Sequence, residues 1–147
     1  MNHRLTLRTA LVVLVLDQLS KQWLGQANRV LIPGVLKLTG VRNTGAAFGL
    51  LGGGQWGLAA VTAVLTLLVL LYIWRARPRG LFGLGLALIA GGALGNLVDR
   101  LLLGYVIDFI ELLFVRFAIF NVADIAVTCG CILCIVGVLT EREAQHE

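Results

Sequence analysis

Long apolar runs separated by short charged clusters dominate this chain, and their lengths predict helices that cross a bilayer. A span needs ~20 mostly apolar residues. Four runs approach that length: about Leu5 to Leu24, Gln55 to Trp74, Gly80 to Val98, and Phe120 to Leu139. The first starts at Arg4 and Arg8 and resembles a signal peptide at its basic end. It continues into DQLSKQW with no small-residue cleavage site, so it reads as a retained helix. The second ends in Arg75, Arg77 and Arg79 around Pro78. Between the runs lie two less regular segments, about Gln26–Gly54 and Leu101–Ile119. In the first, VLIPGVLKLTGVRNTGAAFG alternates loosely between β-branched or leucine positions and turn residues, which predicts short surface strands. The second, YVIDFIELLFVRFAIF, is apolar but punctuated by Asp108, Glu111 and Arg116, and reads as an interfacial amphipathic piece. The expectation is an all-α membrane protein: four transmembrane helices, a small β-rich extracytoplasmic cradle and an interfacial outer segment, in one domain over residues 1–147.

Composition agrees with this reading. Of 147 residues, 59% are hydrophobic and 14% charged, too few charges to cover a soluble domain of this length. The net charge of +4 comes from arginines clustered between apolar runs, so it carries topology rather than a nucleic-acid footprint. Placing Arg4, Arg8 and the Arg75–Arg79 cluster inside makes both termini cytoplasmic and turns the two irregular segments outward. Cys129, Cys131 and Cys134 share one apolar run, where they read as small packing residues rather than a disulfide or a zinc site. Gly91 and Gly92 make a small-residue face for close helix packing, and Gly95 adjoins Asn96 on the same helix.

Charged groups inside a membrane are costly and mark pairing or function. Asp17, Asp99, Asp108, Glu111 and Asp124 all fall toward the outer face. Asp99, for example, lies ~30 Å along a helix from Arg79. Asp17 and Lys21 are spaced i, i+4, the favourable order for a helical ion pair. Asn96, Asp99 and Arg100 can point together from the third run. Asp108 and Asp124 each interrupt an apolar stretch at the interface; facing each other, they would share one proton and could act as general acid and base. The histidines, His3 and His146, are terminal, so no Ser–His or Cys–His pair is available, and no metal or cofactor is expected. On spacing alone, peptide hydrolysis, a proton-coupled membrane transporter or channel subunit, and a purely structural subunit all remain open.

Five blocks in order then narrow the reading: DQLSKQW at Asp17–Trp23, NTGAAFG at Asn43–Gly49, GGALGNLVDR at Gly91–Arg100, VIDFIE at Val106–Glu111 and FNVADIA at Phe120–Ala126. Together they resemble the bacterial signal peptidase II family, intramembrane aspartyl peptidases of lipoproteins, over nearly the whole chain. The resemblance implies a catalytic pair, Asp108 and Asp124. It also implies site-shaping roles for Asp17, Lys21, Asn43, Gly45, Asn96, Asp99, Arg100 and Asn121, with Glu111 a bystander. It further implies a diacylglyceryl-modified prolipoprotein substrate, cut before its lipidated cysteine at the outer face of the cytoplasmic membrane. Membrane lipid is then a partner, nucleic acid is not, and a monomer suffices. The chain departs from the family pattern at Gly49, where serine is frequent. A second departure is the short Asp108–Asp124 stretch, with Ile119 where a proline-containing approach is frequent.

Overall fold

Small residues set the architecture, because without a hydrophobic drive between helices in lipid, close approach and polar contacts must hold a bundle together. The computed structural model describes residues 3–45 and 54–143. In order, it comprises α1 (His3–Leu24), β1 (Asn28–Ile32), β2 (Leu36–Asn43), α2 (Gly54–Ala76), α3 (Gly80–Leu102), β3 (Val106–Leu112) and α4 (Val122–Glu143). Residues 46–49 of the NTGAAFG block, including the departure at Gly49, lie outside the described residues.

Helix α3 is the hub, packed against α1, α2 and α4. Its buried side is lined by Gly85, Ala87, Ala90, Gly91, Gly92 and Gly95. A Cβ at Gly91 would stand 2.5 Å from the Ala10 carbonyl oxygen of α1. One at Gly92 would stand 2.5 Å from that of Ala123, and one at Gly85 2.6 Å from that of Gly130, both on α4. Backbones therefore touch where side chains would otherwise separate them. The opposite surfaces carry exposed Leu11, Val64, Leu67, Ile132 and Ile135, an apolar exterior suited to acyl chains rather than water. Cys134 packs toward Phe82, whereas Cys129 and Cys131 face outward, so two of the three cysteines are not interior packing residues.

Among the described residues, three helices are long and apolar enough to cross a membrane: Trp56–Ala76, Gly80–Leu102 and Val122–Thr140. Helix α1 has 22 residues, yet Arg4, Arg8, Asp17 and Lys21 keep it outside that class. Helix boundaries differ from the sequence expectation by up to about one turn. Helix α3 runs one turn past Val98 to Leu102, and α4 starts at Val122 rather than Phe120. Asp99, expected just past the third run, is inside α3, and Asn121, expected inside the fourth run, stands just before α4; both have partners there.

The first outer segment does form strands, β1 and β2. The second does not lie as an amphipathic piece throughout: Val106–Leu112 is a strand, completing an antiparallel sheet of order β1-β2-β3. Val106, Ile107, Phe109 and Ile110 favour extended backbone, and β2 offers an edge whose amides and carbonyls need partners. Extended pairing also sends Asp108 and Glu111 to opposite faces, where a helix would have put them together. Beyond β3 the chain doubles back, and Phe120 bridges Ile110. The Phe120 carbonyl accepts from the amides of Phe109 (3.0 Å) and Ile110 (2.9 Å), and the Phe120 amide donates to Ile110 (3.1 Å). This clip brings the residue before α4 beside Asp108.

Gly85 lies far from the acidic cluster, so Gly85→Val tests packing alone. Overpacking there should cost ~1–3 kcal/mol, read as a lower Tm in detergent. An unchanged Tm would show that α3 and α4 do not depend on this close approach.

Candidate active site

The site begins with the way α4 starts. The first turn of any helix leaves amides without intrahelical partners. Here Asn121 is the N-cap: its side-chain Oδ1 accepts from the Asp124 amide at 3.0 Å, while Asp124 Oδ2 accepts from the Asn121 amide at 3.1 Å. This reciprocal box, with aspartate in the usual glutamate role, locks the Asp124 carboxylate to its own helix end. The amide of Ala123 is satisfied from another helix altogether, donating to Asp17 Oδ1 at 2.9 Å.

Asp17 belongs to a buried ion cluster. Lys21 Nζ lies 2.8 Å from Asp17 Oδ2 and 3.0 Å from Asp99 Oδ2, with all three side chains almost fully enclosed. Its third donor goes to Asn96 Oδ1 at 2.9 Å, which uses the whole ammonium. Asp99 Oδ2 also accepts from the Ile107 amide at 3.1 Å, tying the sheet to the bundle. Gln18 closes the cluster, donating to Asp99 Oδ1 at 3.0 Å, the Gly95 carbonyl at 3.1 Å and Asp17 Oδ2 at 3.3 Å. A Cβ at Gly95 would fall on the Asp17 carboxylate, so the small residue beside Asn96 makes room for the charge.

Three asparagines carry the order outward to the two interfacial aspartates. Lys21 can only donate, so Asn96 must turn its oxygen toward it; Asn96 Nδ2 then reaches Asp124 Oδ1 at 2.9 Å. Asn121 presents its oxygen to the Asp124 amide, leaving Nδ2 to donate to Asp108 Oδ1 at 2.7 Å and to Asn96 Oδ1 at 3.0 Å. Asn43 on β2 accepts the Gly45 amide at 2.9 Å and donates to Asp108 Oδ2 at 2.8 Å. Gly45 has φ +70, which suits glycine, and a Cβ there would also meet Leu58 at 2.8 Å. Each amide is thus oriented by an obligate donor on its oxygen, and each aspartate oxygen receives an N–H.

Asp108 and Asp124 therefore meet through one residue, Asn121, and open on adjoining surfaces. Asp108 lines a groove of about 340 Å³ with Val41, Arg42, Asn43, Thr44, Ala118 and Ile119. Asp124 lines a mostly apolar groove of about 280 Å³ with Phe117, Phe120, Ile125, Thr128 and Cys129. Burial pushes the Asp108 carboxyl above its ordinary range; the Asn43 hydrogen bond draws it back, the neighbouring Asp124 charge raises it further, and the Asn121 bond again lowers it. A carboxyl that retains a proton next to another carboxylate is equipped for acid–base work.

Of the residues singled out by sequence, Asp17, Lys21, Asn43, Asn96, Asp99, Asp108, Asn121 and Asp124 form one connected network, with Gly45 setting Asn43. Arg100 does not hydrogen-bond either interfacial aspartate; its Nη1 donates to the Asn96 carbonyl of its own helix at 3.2 Å. Glu111 is on the other face of β3, bonded by Thr39 and 3.7 Å from Lys37. Gln18 was missed. Its only signal in the sequence is an amide beside Asp17, three residues before Lys21, in an apolar helix.

Comparison with known proteins places this geometry. The family model for signal peptidase (SPase) II matches residues 9–140. The lipoprotein signal peptidase of Syntrophomonas wolfei is 47% identical over 142 residues, spanning 92% of this chain and 93% of that protein. That of Latilactobacillus sakei is 41% identical, spanning 93% and 95%. Two solved structures of a bacterial membrane enzyme superpose with TM-scores of 0.81. They are 30% and 32% identical, and cover 93% and 91% of this chain and 88% and 92% of theirs.

The ion cluster makes a direct prediction. Lys21→Met leaves two buried carboxylates without their cation and should cost ~3–5 kcal/mol, seen as a large fall in Tm of the purified protein. Retention of the wild-type Tm would overturn the structural role assigned to the cluster.

Proposed function

The chain belongs to the signal peptidase II family, and from that premise we propose that Asp108 and Asp124 are the catalytic pair with which it removes signal peptides from prolipoproteins. It is an aspartic peptidase, a hydrolase, and family membership leaves the transporter reading without support. The observation that carries the assignment is the joint hold of Asn121 on both aspartates.

Asp108 holds the shared proton and directs it at the scissile carbonyl oxygen. Asp124 takes a proton from water as that water's oxygen attacks the carbonyl carbon. In the tetrahedral intermediate the Asp108 proton sits on the former carbonyl oxygen. Collapse breaks the C–N bond: Asp124 returns its proton to the leaving amine, and Asp108 recovers one from the intermediate's hydroxyl. Both residues end as they began, with one water consumed.

The substrate is a diacylglyceryl-modified prolipoprotein, cut before the lipidated cysteine. The apolar groove beside Asp124 and the strand-lined groove beside Asp108 suit a peptide that arrives sideways from lipid. Helix α1 is a fourth span. Its Asp17 and Lys21 are neutralised inside the bundle, and its ~33 Å length suffices to cross. With Arg4, Arg8, Arg75, Arg77 and Arg79 inside, both termini are cytoplasmic. The sheet forms a cradle at the extracytoplasmic face of a bacterial cytoplasmic membrane. One chain, a single membrane domain, supplies every residue of the network, so it works as a monomer. Asp17, Lys21, Asn43, Gly45, Asn96, Asp99, Arg100 and Asn121 shape the site.

Asp108→Asn and Asp124→Asn, each assayed on a lipidated prolipoprotein, should lower turnover at least ~10²-fold. Near-wild-type cleavage by either variant would sink the pair. Asn43→Ala removes a hydrogen bond that favours the Asp108 anion, so the Asp108 carboxyl should hold its proton to still higher pH. The limb of the kcat/KM profile that falls as Asp108 ionises should move alkaline. An acid limb that moves alkaline while the alkaline limb stays fixed would reverse the roles of the two aspartates.

A further inference from the structure

Between the end of α1 and the sheet lies a cleft of about 470 Å³ that contains neither Asp108 nor Asp124, although Val41 and Arg42 line both it and the groove beside Asp108. Gln22 near the end of α1, Gln26 in the turn after it, Arg42 of β2, Tyr105 just before β3 and Ile107 within it line the cleft. The volume is that of a small-molecule site. Two cations, Lys21 and Arg42, line it, and no carboxylate does. The Lys21 charge is spent on Asp17 and Asp99. Arg42 makes no salt bridge among the described residues; its guanidinium lies 5.0 Å over the Tyr105 ring, a contact that steers it without neutralising it.

We propose that this cleft holds the phosphoglycerol headgroup of an anionic phospholipid from the outer leaflet. Depth supports a lipid. The cleft adjoins the end of α1, where Trp23 is 80% exposed, and tryptophan and tyrosine prefer the headgroup level of a bilayer. Charge supports an anion, since Arg42 presents a planar fork that fits phosphate oxygens. The remaining lining selects the alcohol. Gln22 and Gln26 offer amides that both donate and accept, which suits the hydroxyls of glycerol. A choline headgroup would instead bring its cation against Arg42. The floor of the cleft matters too: the Ile107 amide bonds Asp99 and its carbonyl accepts from Asn121 at 3.3 Å, so a seated headgroup bears on the strand residue next to Asp108.

The inference rests on the proposed membrane orientation but not on the catalytic assignment. The full chain in neutral detergent is mixed with equal amounts of phosphatidylglycerol and phosphatidylcholine of the same acyl chains, and bound lipid is counted by native mass spectrometry. Wild type should retain phosphatidylglycerol in preference, and Arg42→Gln should lower that preference ~5-fold, the weight of one cation at an anionic surface. Asp108→Asn should keep the preference, which separates this site from the peptidase reading. Lys37→Gln, removing a half-buried cation elsewhere on the sheet, should also keep it. Equal retention of the two lipids by wild type, an unchanged preference in Arg42→Gln, or an equal loss in Lys37→Gln would each overturn the proposal.

Discussion

One ammonium group buried among helices sets the terms for the rest of the molecule. A lysine in an apolar bundle must find acceptors for all three of its protons, and Lys21 finds Asp17 on α1 and Asp99 and Asn96 on α3. That demand brings α1 and α3 together at one height, which in turn requires glycine at position 95. Asp17 then has an oxygen to spare for the first turn of α4, while the Asp99 oxygen that meets Lys21 also accepts from the start of β3. The charge that would be most costly in lipid becomes the joint at which three helices and a sheet meet.

From that joint outward, neutral amides take over. Asn96, Asn121 and Asn43 each accept a donor on one side and present an N–H on the other, so direction is passed along without adding charge. An amide donor can serve a carboxylate in either protonation state, because a protonated carboxyl oxygen still has a lone pair to offer. A lysine or arginine in the same place would pin Asp108 and Asp124 as anions. The geometry therefore keeps the pair oriented in either protonation state.

Much of this was legible in the residues. Span lengths located α2, α3 and α4 because twenty apolar residues have few alternatives, and the i, i+4 spacing of Asp17 and Lys21 made their pairing evident. Polar residues in apolar runs flagged nearly every member of the network. What spacing could not supply was contact across the chain. Asp17 capping α4 joins residues 106 positions apart. Gln18 looked like an ordinary polar position until Asp99 and Gly95 were placed beside it. The strand β3 escaped because a seven-residue apolar run with two acids fits either period, and only the open edge of β2 decides between them. Arg100 looked equivalent to Asp99 in its motif, yet one step around the helix turned it to its own backbone.

The clip between Phe120 and Ile110 has a consequence for how such a protein can diversify. It consists only of main-chain groups, so it holds Asn121 beside Asp108 whatever side chain stands at 120. The Phe120 ring meanwhile lines the apolar groove next to Asp124 and stacks edge-on with Phe117, 5.8 Å away. Under the proposed function, substrate preference and catalytic alignment are thus written at one position in separate alphabets, side chain and backbone. Drift in the first can reshape the groove for a different repertoire of clients while the second stays unread by selection on volume or polarity.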